Sequence, residues 1–507
     1  MKRRVVFLAL LTSLTALCAC NGGSTGKKGS KDADSAVVGI TQDLDSLDPH
    51  IAVAAGTDEV LFNVFEGLVK PSVDGTLVPA VAKEYTIGSD GMSYTFTLRE
   101  NVKFHNGKVV TADDVVYSIE RCAGLLDNPD PEVVVESALS VISAVEKVGE
   151  DKIVLQLSEP NTELLGFLTC AIIPMDYDKQ KTAPVGTGPF RFVSYKPLEE
   201  FVVERYDEYY GEKPYLKTVT FKICASNDAA FMELMAGEID IFPYLTDEQA
   251  SQLPAEYNLE EGASNLVQAM FLNNAFAPFQ DVRVRQALCY AVNKEEMMQI
   301  VSGGRGHVIG SNMFPNFGVY YDASLENYYT YQPETAKKLL AEAGYDEKNP
   351  LTFVMKVPSN YDFHVATAQV LVEQYKKVGV KVELQLIEWA TWLSEVYKAR
   401  EYEATIVGLD AALAPSDVLK RYTSTAKNNF VNYANPEFDT LFAKALGSVD
   451  ETEKAALYKE IQQLLTKEAA SVYLQDGAKL VAVNKRFTGF LFYPVYVLDM
   501  ASIKAAE

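Results

Sequence analysis

The stretch LTFVMKVPSNYDFHVATAQVLVEQYKKVGVKVELQLIEWATWLSEVYKAREYEATIVGL, residues 351–409, decides the fold. LTFVMKV reads as a strand. Residues 362–377 read as a helix, with Phe363, Ala366, Val370 and Leu371 at helical spacing and a stop at Gly379. VKVELQLI alternates as a strand does, WATWLSEVYKA is helical, and YEATIVGL closes the unit as a third strand. A strand, helix, strand, helix, strand order predicts a parallel sheet with right-handed crossovers. Ligands of such sheets sit beyond the carboxyl ends of the strands, which here are the loops 358–362 and 409–417.

Outward from this unit the pattern changes. The first half of the chain is rich in hairpins. VEKVGEDKIVLQL turns at Gly149-Glu150-Asp151, and FRFVSY and FVVERY flank a turn at 196–200. YTFTL at 94–98 alternates after the turn signal Ser89-Asp90-Gly91. Thr111 and Asp114 form a capping-box spacing ahead of DDVVYSIERCAGL, and PETAKKLLAEAGY has Pro333 at its start and Gly344 as its C-cap. A hairpin-rich half and an α/β half argue for distinct domains, as does a length of 507 residues.

The N-terminus reads as an address. Lys2, Arg3 and Arg4 precede a short apolar run from Val5 to Leu17, a secretory signal peptide too short to span about 30 Å of hydrocarbon. LCAC at 17–20 matches a bacterial lipobox, with Leu17 at −3, Ala19 at −1 and Cys20 as the lipid-modified residue; Cys18 leaves with the peptide 1–19. Residues 20–36, rich in Gly, Ser, Lys and Asp, are a flexible tether. Two or three acyl chains on Cys20 anchor stably where one is marginal. Asn21 follows Cys20 where Asp would signal inner-membrane retention, which favours a Gram-positive surface.

Several classes are excluded or unsupported. A net charge of −23 argues against nucleic acid, which needs a basic surface. No H-E-x-x-H or Walker A motif is present, and the G-x-S-x-G match at Gly22–Gly26 lies in the Gly/Ser-rich tether and not between a strand and a helix, so a surface hydrolase has no candidate nucleophile–base pair. His50, His105, His307 and His364 have no metal-ligand spacing. Cys122, Cys170, Cys224 and Cys289 fit no zinc pattern; outside the cell Cys122 could pair with Cys170, or all four could be small buried hydrophobes.

From about residue 37 to 480 the chain resembles the family 5 extracellular solute-binding proteins, the peptide- and nickel-binding lipoproteins of ABC importers. The resemblance is carried by DSLDPH (45–50), NVFEGLV (63–69), DGMSYTFTLRENVKFHNGKVVTADDVVYSIER (90–121), GTGPFRFVSY (186–195), FQDVRVRQALCYAVNKEE (279–296) and ETAKKLLAEAGY (334–345). It implies an α/β, periplasmic-binding-protein-like fold of three lobes. Domain I takes 37–70, 190–266 and 480–507; hairpin-rich domain II takes 71–189; domain III takes 267–479. A two-strand hinge would join lobes I and III near LVQAMFLN and KLVAVN and close over a ligand. The implied protein is no enzyme and has no cofactor. It is a monomer that captures short peptides and delivers them to a membrane permease; a nickel chelate, a sugar or a peptide-sensing role are the alternatives.

A peptide needs an acidic partner for its amine and a cationic or dipolar one for its carboxylate. By the resemblance, an Asp follows the strand ending at Leu409. In GLDAALAP (408–415) that residue is Asp410, earlier than the family pattern has it and with Leu409 where Trp is usual. The family's Arg is missing from VPSNYDFH at 357–364. A carboxylate would instead meet Ser359, Asn360, Tyr361 and the start of the following helix, with charge from His364 if protonated. Trp389 stands where it could stack on a ligand, whereas Trp392 reads as core. Ala55, Gly56 and Thr57 would line the cleft by the same resemblance. Arg283 and Arg285 read as structural ion-pair formers.

Overall fold

In the computed structural model the described residues are 33–127 and 129–506. The signal-peptide and lipobox readings, with Cys18 and Cys20, lie outside them, as does most of the tether. Residues Asp34–Glu507 form one compact unit built on three principal sheets.

The 351–409 stretch forms the elements its periodicity predicts. Strands Thr352–Pro358, Lys381–Ile387 and Ala404–Leu409 are separated by helix Asp362–Lys376 and by a helical segment that widens into a π-turn at Trp392–Lys398. The strand Thr352–Pro358 lies in the middle and runs parallel to both others. The sheet as a whole is mixed, not purely parallel. Strand Val267–Leu272 pairs antiparallel with Ala404–Leu409 and with Ser471–Asp476, and His307–Val308 completes six strands. Strands Val267–Leu272 and Ser471–Asp476 connect directly to the neighbouring sheet, so their direction is set by that connection and not by a crossover helix.

The second sheet has seven strands. Its order is Tyr257–Ala263, Ala478–Asn484, Ile241–Phe242, Ser35–Ile40, Thr218–Ile223, Glu200–Arg205 and Phe190–Lys196. The hairpin at 190–205 is the one its sequence signals. The third sheet, of four strands, spans residues 82–157 and contains the Gly149 hairpin, where Gly149 takes φ 69°. Helix Ala112–Ala123 packs on it and opens with the complete Thr111–Asp114 capping box.

The chain passes between the seven- and six-stranded sheets twice, side by side. Residues 264–266 join Tyr257–Ala263 to Val267–Leu272, and Gly477 alone joins Ser471–Asp476 to Ala478–Asn484. The passages bond each other: the Ser264 N–H donates to the Gly477 carbonyl at 2.8 Å, and the Leu266 N–H to Asp476 Oδ1 at 3.0 Å. Asn265 sits between them at φ 60°, a conformation Asn tolerates better than most residues. A Cβ on Gly477 would meet the Phe363 ring at 3.1 Å, so glycine permits the close pass. Both passages fall just before the stretches LVQAMFLN and KLVAVN.

Arg283 and Arg285 are structural in different ways. Arg283 pairs with Asp281 at 2.6 Å. Arg285 makes no ion pair among the described residues; it donates to the carbonyls of Phe279, Glu468 and Ala469, holding the end of helix Glu451–Lys467.

Candidate functional site

The site lies where helix Ala55–Leu61 faces the loop after strand Ala404–Leu409. The helix has no side-chain cap. Instead the Asp45 carboxylate accepts the N–H groups of Val53 and Ala54 at 2.9 and 3.1 Å, and Thr57 Oγ1 accepts the Asp45 N–H at 3.2 Å. Thr57 is thereby turned inward and buried, while Ala55 and Gly56 remain on a cavity wall. On the facing side, the Ala412 N–H donates to Asp417 at 3.0 Å and the Ser416 N–H to Glu163 at 2.8 Å. These bonds fix the loop that presents Asp410.

Two chambers meet at Asp410, Ala411 and Tyr496. One, about 480 Å³, has the sheet passage 264–266 in its lining, with Ala55, Gly56, Glu59, Tyr244, Tyr361 and Lys479. The other, about 500 Å³, is lined by Asp58, Phe62, Glu66, Lys70 and the segments 169–171 and 411–413. A larger cavity of about 650 Å³ lies beyond Phe62, but its charges are spoken for. Lys70 bonds Glu66 and Tyr209, and Arg99 bonds the carbonyls of Pro79 and Ala80.

The charges in the two chambers are unequal. Glu59 is buried and satisfied by Lys479 Nζ at 2.7 Å and by the Tyr244 hydroxyl. Asp58, the residue before it, has no cationic partner among the described residues, and neither has Asp410. Solvent reaches both carboxylates, yet protein surrounds them. That low-dielectric setting, with the negative charges of Asp45, Glu59 and Asp410, pushes Asp58 up to about 7. Burial also raises Asp410; its own N–H and Arg421 oppose the rise and Asp417 adds to it. The Tyr496 hydroxyl is raised by burial and by the carboxylates of Asp410 and Glu59.

The other residues expected at the site divide. Tyr361 lines the chamber and is 40% exposed. Ser359 and Asn360 are not in the lining; the Ser359 N–H donates to the Ile387 carbonyl, and Asn360 faces solvent. His364 is buried behind the wall. Its Nε2 accepts the Gly408 N–H at 3.0 Å, and its Nδ1 is 2.8 Å from the Gln268 side chain. Burial pushes the imidazole down to about 4, so His364 supplies no charge near neutral pH. Trp389 is also outside the lining. It stacks on buried Trp392 at 4.9 Å and 4°, and meets Tyr361 edge-on at 5.4 Å. Trp392 donates from Nε1 to Thr405 at 2.9 Å, a core role.

Sequence reasoning missed Asp58, Glu59, Tyr244, Lys479 and Tyr496. Asp58 was signalled only as an acid in a first helical turn, which many helices have. Tyr496 reaches the site from the far end of the chain.

A family model of the bacterial extracellular solute-binding proteins, family 5, matches residues 76–430. Heme-binding protein A of Haemophilus influenzae is 28% identical over 86% of this chain and 85% of its own. The oligopeptide-binding protein AppA of Bacillus subtilis is 25% identical over 97% of each. Among solved structures, the ABC transporter substrate-binding protein CtaP of Listeria monocytogenes superposes with a TM-score of 0.83 at 24% identity, covering 94% of this chain and all of that one. AgaA of A. tumefaciens, in complex with agropinic acid, gives 0.77 at 27% identity, with 93% and 99% coverage. Proteins of this family bind solutes and are not enzymes. The chain belongs to the bacterial extracellular solute-binding proteins of family 5.

Proposed function

We propose that the protein captures short peptides outside the cell and hands them to an ABC permease in the membrane. The observation that carries this reading is the pair Asp58 and Asp410, presented by facing walls without a cation between them. A peptide amine supplies the missing positive charge and satisfies both groups on binding. Asp410, Tyr361, Ala55 and Gly56 are the lining residues that contact the ligand; His364, Trp389 and Thr57 act by holding that lining in place, and Ser359 and Asn360 lie off it. Peptide binding also agrees with the names of several relatives, among them the dipeptide-binding protein of Escherichia coli.

In this reading the protein is a monomer anchored through a lipidated Cys20 on a Gram-positive surface. The sheet boundaries support three lobes, 37–70 with 190–266 and 480–507, then 71–189, then 267–479, closing about the paired passages at 264–266 and Gly477. A thermal-shift screen of the purified protein tests the ligand class. A peptide at about 100 times its dissociation constant stabilises by about 2.7 kcal/mol. Shifts with a sugar, haem or a nickel chelate and none with a peptide library would replace the peptide reading.

A further inference from the structure

Cys122 and Cys170 share one wall of the second chamber. Cys122 lies in the last turn of helix Ala112–Ala123, which ends at Gly124 with φ 72°. Cys170 lies in the strip that follows the short helix Leu164–Phe167. That strip is pinned: the Ile172 N–H donates to the Glu66 carbonyl, and the Ala171 carbonyl bonds His50 Nε2 at 2.8 Å. The helix end is pinned too, by Arg121 on Asp48 at 2.8 Å and by the Glu136 N–H on the Cys122 carbonyl at 3.0 Å. Both side chains pack in the same apolar cluster. Cys122 is buried and Cys170 half-buried, so an oxidant in the chamber meets Cys170 first.

We propose that Cys122 and Cys170 are a disulfide-forming pair, a redox clasp in the cleft wall. The oxidant is a small disulfide, RSSR, from the oxidising medium outside the cell. The Cys170 thiolate attacks one sulfur of RSSR and expels RS⁻, which takes up a proton from solvent. The Cys122 thiolate then attacks Cys170 Sγ and expels the second RS⁻, which is protonated in turn. Two thiols and RSSR become one protein disulfide and two RSH. In the reduced protein the side chain of Cys170, together with burial, holds the Cys122 thiol well above the ordinary thiol range; burial persists in the mixed disulfide, so the second step accelerates as pH rises. Cys224 and Cys289 are internal controls. Burial pushes them up to about 11 and about 12, and charged side chains, not a second cysteine, stand beside them.

The test is peptide mapping of the full chain after oxidised glutathione and alkylation. The expected result is a cross-linked 122–170 species 2 Da lighter than its two peptides, with Cys224 and Cys289 still alkylated. The oxidised protein should melt at a higher temperature, and reduction should reverse this. Cys122→Ser should trap glutathione on Cys170, and Cys170→Ser should leave Cys122 unmodified. Alkylation of both cysteines after prolonged oxidation at alkaline pH would overturn the proposal. So would stable glutathione on Cys170 in the unsubstituted protein, or a cross-link of either to Cys224 or Cys289.

Discussion

Asp476 at the sheet passages and Asp58 in the cleft are both raised to about 7, for different reasons. Asp476 is 1% exposed, and burial is the dominant cause; the Asn265 and Leu266 N–H groups and His307 only partly offset it. Asp58 is open to solvent, and part of its rise comes from the carboxylates of Asp45, Glu59 and Asp410. One carboxyl therefore reports on whether the passages are packed. The other reports on whether a positive charge has arrived. Two groups titrating together can thus be separated by asking what relieves each: unfolding for Asp476, ligand for Asp58.

The largest effect should break the comparison at Asp476. Its folded value is raised, so the native state holds the extra proton. The stability this gives is complete below the unfolded value near 4 and is lost as pH rises through about 7. Between pH 5 and 8 the loss from this group is about 2–3 kcal/mol. Urea unfolding of Asp476→Asn should show a shallower decline over that window. An unchanged decline would mean that the passages carry no titrating group. Next comes Asp410→Asn. Losing a charge-assisted bond to a peptide amine should weaken binding about 10–100-fold with little change in stability, measured by calorimetry. Unchanged affinity would remove Asp410 from recognition.

How much of this was legible follows from what each residue depends on. The 351–409 unit was readable because its helix and strands keep their own periods. Its antiparallel neighbours were not readable as such, since Val267–Leu272 and Ser471–Asp476 are buried on both faces and show only continuous burial. Asp410, Tyr361, Ala55 and Gly56 lie on a chamber lining, where strand ends and a helix start locate them. A helix turns about 100° per residue, so Thr57 faces inward and Asp58, one residue on, faces the chamber. The burial of His364 was not legible because burial is a property of the packed fold, and Tyr496 was not because its contacts span most of the chain.

A smaller effect tests the cleft half of the comparison. A bound amine should pull Asp58 back toward the ordinary carboxylate range, so binding releases a proton near pH 7. Peptide affinity should rise severalfold from pH 5.5 to 7.5, then fall as the α-amine, at about 8, loses its charge. Asp58→Asn should flatten the rising limb. Calorimetry in buffers of different ionisation enthalpy reads the proton directly, and no release near pH 7 would mean that the ligand's charge lies elsewhere.

The smallest effect concerns the wall that holds no charge. Trp389 reaches the ligand only through Tyr361, which it meets edge-on while resting flat on Trp392. An aromatic contact of this kind is worth about 0.5–1.5 kcal/mol. Trp389→Ala should therefore free the Tyr361 ring and weaken peptide binding by roughly 2–10-fold. Trp389→Phe should restore most of the loss, since it keeps an edge for Tyr361. The pH profile should be untouched in both variants, because neither alters a carboxylate. A change in that profile would tie the aromatic wall to Asp58 and end the separation drawn between shape and charge in the cleft.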